Sequence, residues 1–206
     1  MELNRPLATI TPTLDGDVLA VLARHDVNFT TGQVHRVLNR HSEAGIRKVL
    51  VRLSSQGIVL RERVGNAYSY RFNRDHLAAS PIIELANLQA TLLSRIEERL
   101  AGWAVPPVYA AVFGSAARGT MTADSDLDLF LVRPDDAPRA EWDEQLGALV
   151  ADVSKWTGND TRPVDYDERD LIGAATEPVL REVLADALTV AGTRSWLNRQ
   201  LRKTAV

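Results

Sequence analysis

Residues 113–132 read FGSAARGTMTADSDLDLFLV. The apolar run that leads in, 108–113, has the length and content of a buried strand. Gly114-Ser115 breaks it sharply, a polar segment follows over 116–125 with Gly119 as a second breaker, and a new strand opens at Asp126 as DLDLFLV. Alternate residues of a strand share a face, so Asp126 and Asp128 point one way while Leu127 and Leu129 point into a core. Two carboxylates about 4 Å apart repel by roughly 4 kcal/mol at an effective dielectric near 20. The flanking Ser125, Leu127 and Leu129 bring no positive charge, so the offset is a shared proton, an Arg or Lys from elsewhere, or a divalent cation. A hard cation such as Mg²⁺, which prefers carboxylate oxygens and phosphates, fits this pair. The Gly-Ser turn supplies the complement: glycine lets a phosphate approach the backbone, the N–H groups of the following turn can hold it, and the Ser115 hydroxyl can donate to it.

The rest of the composition narrows the class. The 206 residues suffice for one large domain or two small ones, and a hydrophobic share of 45% with 25% charged residues is ordinary for a globular chain. Without cysteine there are no disulfides, no Cys-ligated zinc and no thiol nucleophile, a pattern that fits the cytoplasm. No apolar stretch approaches the roughly 18 residues that span a membrane, which excludes a membrane partner. The net charge of −3 hides a division: residues 24–75 hold ten Lys or Arg against four Asp or Glu, and residues 105–192 hold seven against seventeen. The first stretch suits a polyanion; the second needs cations before it can hold one.

In chain order, helices are expected over 15–23, over 32–38 with Thr30 or Thr31 as N-cap, and over 43–56 behind Ser42. Strand-like runs at 58–63 and 68–73 flank Gly65-Asn66 as a hairpin. By order of elements, this stretch resembles winged helix-turn-helix regulators, in which the third helix enters the major groove of duplex DNA and the hairpin lies along the backbone. Arg47, Lys48 and Arg52 fall on that helix, and Arg61, Arg63 and Arg71 on the hairpin. Ser80-Pro81 then starts one long helix to about residue 100, a linker that docks two domains or pairs with its copy in a homodimer. The expected fold is α+β in two domains: a winged helix over 1–79, the linker helix over 80–104, and a mixed-sheet α/β domain over 105–206. In the latter, a helix is expected over 141–156, a third strand over 162–167, helices over 170–174 and 177–188, and a basic amphipathic helix over 194–203.

Taken together, Gly114, Ser115, Ala117-Arg118-Gly119 and Ser125-Asp126-Leu127-Asp128-Leu129 resemble the signature of the minimal nucleotidyltransferases of the DNA polymerase β superfamily. The resemblance implies that Gly114 and Ser115 hold a nucleoside triphosphate, with ATP the default donor, and that Asp126 and Asp128 bind Mg²⁺. It also implies a third carboxylate from the neighbouring strand, for which Asp165 is the choice and Asp167 the reserve. With these three, two Mg²⁺ ions would lie about 3.5–4 Å apart and clamp the attacking and leaving oxygens. Asp165 would help deprotonate the attacking hydroxyl. A nucleoside monophosphate would pass to a hydroxyl of a protein, an RNA 3′ end or a small molecule. Small relatives act as antitoxins that modify a partner toxin; the additional winged helix and linker depart from them. The alternative is a DNA-binding transcriptional regulator whose nucleotidyltransferase-like domain senses nucleotide without turnover.

Overall fold

In the computed structural model, which describes residues 1–203, the chain is a mixture of helices and two sheets. Residues 204–206, the end of the expected 105–206 domain, lie outside the described residues. The chain divides into two units, one of Glu2 and Asn4–Leu88 and the other of Met1, Leu3 and residues from Gln89 onward. No helix among the described residues is long and apolar enough to cross a membrane.

The Asn4–Leu88 unit begins with a 3₁₀ turn, Pro6–Thr9, and the helices α1 (Leu14–Arg24), α2 (Thr31–Leu38) and α3 (Glu43–Ser55). Local chemistry sets their starts. Thr30 and Gln33 form a reciprocal capping box on α2, and Ser42 accepts from the Gly45 N–H on α3. Val18, Leu22, Val34, Ile46 and Leu50 are fully buried in their common core. β2 (Val59–Val64) and β3 (Ala67–Phe72) form the hairpin, and Tyr70 and Phe72 close the core from its inner face. Phe29–Thr30, just ahead of α2, is a two-residue strand, β1, paired with Ser69 and Tyr70 of β3. Tertiary pairing wins there over local turn signals.

The long helix expected from residue 80 is two helices, α4 (Ala79–Ala86) and α5 (Leu88–Ala101), separated by Asn87. The Asn87 N–H is shared between the carbonyls of Ile83 and Glu84. The apolar positions of this stretch feed two cores. Ala79, Ile82 and Ala86 pack with α1, and Leu92, Ile96 and Leu100 pack in the second unit. Ser80 is not the cap; its hydroxyl donates to Glu84 at 2.9 Å.

One buried charge organises the first unit. Asp17, 5% exposed, sits in the first turn of α1. It accepts from Arg5 Nε and Nη2 at 3.1 and 3.0 Å, and Arg40 Nη2 and His41 Nε2 lie 3.1 and 3.0 Å away. Burial pushes its carboxyl up, but the hydrogen bonds from Arg5 and His41 and the charges of Arg40 and Arg5 outweigh it, and the net direction is below the ordinary 3.8. Asp17→Asn should therefore destabilise this unit by about 2–4 kcal/mol at neutral pH, because it removes the buried charge that Arg5, Arg40 and His41 share. A depressed carboxylate stabilises the fold fully above its unfolded pKa and loses that effect as pH falls through the folded value. The gap between wild type and Asp17→Asn in urea denaturation should accordingly be constant near neutrality and close below about pH 4. A gap that persists in acid would show that the carboxylate charge is not its source.

The second unit is a four-stranded sheet in the order β6-β5-β4-β7. β4 (Tyr109–Phe113) is buried at all five positions and antiparallel to both β5 (Leu127–Arg133) and β7 (Leu188–Ala191). The short helix α6 (Gly114–Arg118) leaves the end of β4, and α7 (Arg139–Thr157) carries the chain from β5 to its parallel neighbour β6 (Thr161–Asp167). A 3₁₀ turn, Glu168–Leu171, stands where a helix over 170–174 is expected. The expected helix 177–188 ends early as α8 (Pro178–Asp186), because its last residues pair with β4 as β7. α9 (Arg194–Leu201) closes the described chain. The two faces of the sheet bury different helices. Ala110, Val112, Leu127, Leu129 and Leu131 pack with α5 and α7, whereas Tyr109, Ala111, Phe113, Phe130 and Val132 pack with α8 and α9.

Candidate functional site

The antiparallel register of β4 and β5 sets Phe113 opposite Asp128. The chain then turns at Gly114, whose φ of +67° favours glycine, and a Cβ built there would overlap the Asp128 carboxylate. Ser115, half-buried, follows in the first turn of α6, and Gly119 ends that helix in the left-handed region. Gly114, Ser115 and Asp128 are thus brought together by strand pairing alone.

Asp126 sits one residue ahead of β5, at the end of a braced loop. Ser125 Oγ accepts from the Thr122 N–H at 3.0 Å. The buried Asn159 donates Nδ2 to the carbonyls of Ala123 at 3.0 Å and Ser125 at 2.8 Å. The Leu127 N–H bonds to the Asp160 carbonyl at 2.8 Å. Burial raises the Asp128 carboxyl above the ordinary range, and the charges of Asp126 and Glu182 raise it further against the opposing pull of Arg162 and Arg118.

Those two arginines answer the question posed by the sequence. Arg162, on β6 opposite Asp128, reaches Asp126 Oδ2 at 2.9 Å. Arg118, on α6, reaches Glu182 of α8 at 3.3 Å. Among the described residues no group of three or more His, Cys, Asp or Glu is arranged to hold a metal ion. Two carboxylates with phosphate oxygens from a ligand are nevertheless a usual Mg²⁺ environment, and the side-chain-free Gly114 leaves the Asp128 carboxylate room beside the turn. Asp126 and Asp128 fit that group.

Asp165 does not join them. Along β6, Val164 and Tyr166 stand on one face and Asp165 on the other, and the register pairs Asp165 with Leu131 and Arg162 with Asp128. Asp165 therefore lies on the α5/α7 face, where Arg139 of α7 holds it at 3.0 Å. Asp167, the reserve, pairs with Arg133 on that same face and accepts from Arg133 Nε at 2.8 Å and Arg169 Nη2 at 3.2 Å. Burial favours its neutral form, but these arginines hold it below the ordinary carboxylate range. Arg162, Glu182 and Asn159 were not singled out by sequence reasoning. Only the β5–β6 register, a non-local property, points to Arg162.

In the first unit, a cleft of ≈ 410 Å³ is lined by Arg47 of α3, Arg61 and Tyr68 of the hairpin, and Thr31 and Gly32 at the start of α2. Arg61 lies 3.5 Å over the Tyr68 ring, and Arg47 is 3.7 Å from Glu43 on its own helix. Lys48 is exposed on α3, and Arg63 donates to the Gly65 carbonyl at the hairpin turn. Arg52 departs from this group, its guanidinium bonded to Asp15 of α1 and to Gln56.

Residues 93–189, just under half of the chain, match the nucleotidyltransferase domain family, and the match contains the whole Gly114–Asp128 site. The chain carries an enzyme domain of the nucleotidyltransferase class. No curated protein matches the chain. Among solved structures it is similar to a toxin–antitoxin crystallised with AMP-PNP, at 19% identity over 53% of this chain and 80% of that one, TM-score 0.39. It is also similar to a mutant of the toxin–antitoxin MntA–HpeT, at 16% identity over 53% and 80%, TM-score 0.39. A third is the tri-AMPylated HEPN toxin of Shewanella oneidensis in complex with MNT antitoxin, at 16% over 55% and 80%, TM-score 0.37. These likenesses are too weak to carry a conclusion about this chain.

The Gly114 geometry has a direct consequence. Gly114→Ala should cost about 1–3 kcal/mol in backbone strain and push the Asp128 carboxylate aside. Thermal unfolding together with Mn²⁺ binding measures both; unchanged metal affinity would mean that the turn does not set the position of Asp128.

Proposed function

We propose that the second unit transfers a nucleoside monophosphate from a Mg²⁺-bound nucleoside triphosphate to an acceptor hydroxyl. The observation that supports it best is the packing of the Gly114-Ser115 turn against Asp128 with Asp126 beside it. In this reading the Gly114 backbone and the Ser115 hydroxyl hold the triphosphate, and Asp126 and Asp128 hold the cation. When bound, Mg²⁺ neutralises phosphate charge and orients the reacting oxygens. The acceptor oxygen bonds to the α-phosphorus, the bond from that phosphorus to the bridging oxygen of pyrophosphate breaks, and the hydroxyl proton leaves to solvent or base. ATP is the donor by resemblance. Asp165 has no part in this reading, since its face is that of α5 and α7.

Incubation of the protein with each α-labelled NTP, Mg²⁺ and host lysate tests the reading and identifies the acceptor. Asp126→Asn and Asp128→Asn should each lower transfer by orders of magnitude without unfolding the chain. Asp165→Asn should leave it within a few-fold. Full transfer by Asp128→Asn would end the metal assignment, and a collapse in Asp165→Asn would reinstate that residue.

The Asn4–Leu88 unit, in the same proposal, is a winged helix that binds duplex DNA through α3 and the hairpin. The convergence of Arg47 and Arg61 on one cleft supports it, with Lys48 and Arg63 at its margins, while Arg52 is engaged by Asp15. Each phosphate neutralised releases counterions, and log K falls against log salt with a slope of about −0.9 per contact. Mobility shifts of the full chain over a salt series should show this dependence, flattened by about two units when Arg61 and Arg63 are both replaced by Ala. Absence of binding to any duplex at low salt would leave the basic cleft as solvated surface.

A further inference from the structure

Arg162 is placed oddly for a structural residue. It stands on β6 opposite Asp128, on the face that bears the carboxylates, with its Nη1 2.9 Å from Asp126 Oδ2 and its Nε 3.7 Å from Asp160 Oδ2. Its side chain is 64% exposed. An ion pair this open to water contributes little to stability. The guanidinium does something else: it neutralises one of the two carboxylates that the Asp-x-Asp strand forces together.

Asp126 Oδ2 cannot serve Arg162 and a divalent cation at once, because both are positive and both claim the same lone pairs. A site that takes up a cation at Asp126 must release Arg162, whose N–H donors then need another anion. The triphosphate that accompanies the cation is such an anion, and it arrives on the same face of the sheet. The planar guanidinium fork matches phosphate oxygens and stays charged at every working pH. Exposure gives the side chain the freedom to move from one partner to the other.

We infer that Arg162 is a phosphate-binding residue of this site, paired with Asp126 before the nucleotide binds and with a phosphate oxygen afterwards. The inference rests on the nucleotidyltransferase reading above and adds to it. Its signature is a pair of effects with opposite sign. As the counter-ion of Asp126, Arg162 competes with a bare cation. As a phosphate donor, it strengthens binding of the cation–nucleotide complex. A residue that merely supported the fold would move both affinities the same way.

The test uses the full chain and two probes: Mn²⁺ alone, followed by electron paramagnetic resonance, and the non-hydrolysable analogues of the four NTPs with Mn²⁺, followed by calorimetry. Arg162→Gln should bind Mn²⁺ alone roughly three- to tenfold more tightly, since a neighbouring positive charge is gone. The same variant should bind the analogue about tenfold or more weakly, for the loss of a hydrogen bond to a charged group. Arg162→Lys keeps the charge and loses the fork, so its Mn²⁺ affinity should stay near wild type and its analogue affinity should fall between the other two. It also serves if the glutamine variant folds poorly. Both affinities moving in one direction, or an unchanged analogue affinity in a wild type that binds the analogue, overturns the inference and leaves the enzyme reading standing. A wild type that binds none of the four analogues overturns both.

Discussion

Where β4 ends, β5 begins beside it: Phe113 faces Asp128 across the antiparallel pair, and the next residue of the chain, Gly114, has no side chain. The candidate site follows from this adjacency. A carboxylate needs space for a ligand, and a turn needs a residue at ease with positive φ; one glycine meets both needs at one point. The remaining parts converge on that point from further away. Arg162 comes across from the parallel strand, Glu182 from a helix on the same face, and Asn159 fastens the loop that carries Asp126.

The site is rich in charge, yet its charges are matched in advance. Asp126 has Arg162 and Glu182 has Arg118, so Asp128 is left as the carboxylate whose neighbours, on balance, resist its ionisation. A second cluster at the other end of the β5–β6 pair is matched as well: Arg133 is buried and fastened to Asp167, and the more exposed Arg139 bridges Asp165 and Asp143. Arg162 is largely open to water while Arg133 is enclosed, and that separates an exposed ion pair from one that holds two strands together.

Much of this was legible in the sequence where the determining contacts are local. Thr30 and Ser42 cap the helices expected of them, and the strand–turn–strand core of residues 108–132 is where its breakers put it. The alternation of β6 was legible too. Its parity against β5 was not, because nineteen residues of α7 intervene and nothing in 162–167 records which strand residue will face Asp128. One step of register moves a whole set of side chains to the opposite face, and for that reason Asp165, expected beside Asp126 and Asp128, stands on the other face of the sheet. The break at Asn87 escaped for a related reason: a continuous apolar stripe does not state whether it will be buried in one core or two.

β6 is also a margin of its sheet, bonded to β5 on one side and to no strand among the described residues on the other. A bare strand margin is a template on which a second polypeptide can add itself, and proteins that stay apart blunt such margins with proline and charge. The seven residues TRPVDYD do both. Pro163 removes an amide hydrogen from the strand, as prolines in sheets do almost solely at margins. Arg162, Asp165 and Asp167 set charges along it, each already engaged by a partner within the same unit. The strand that presents a guanidinium to the carboxylates thereby also carries the features that disfavour edge-to-edge pairing.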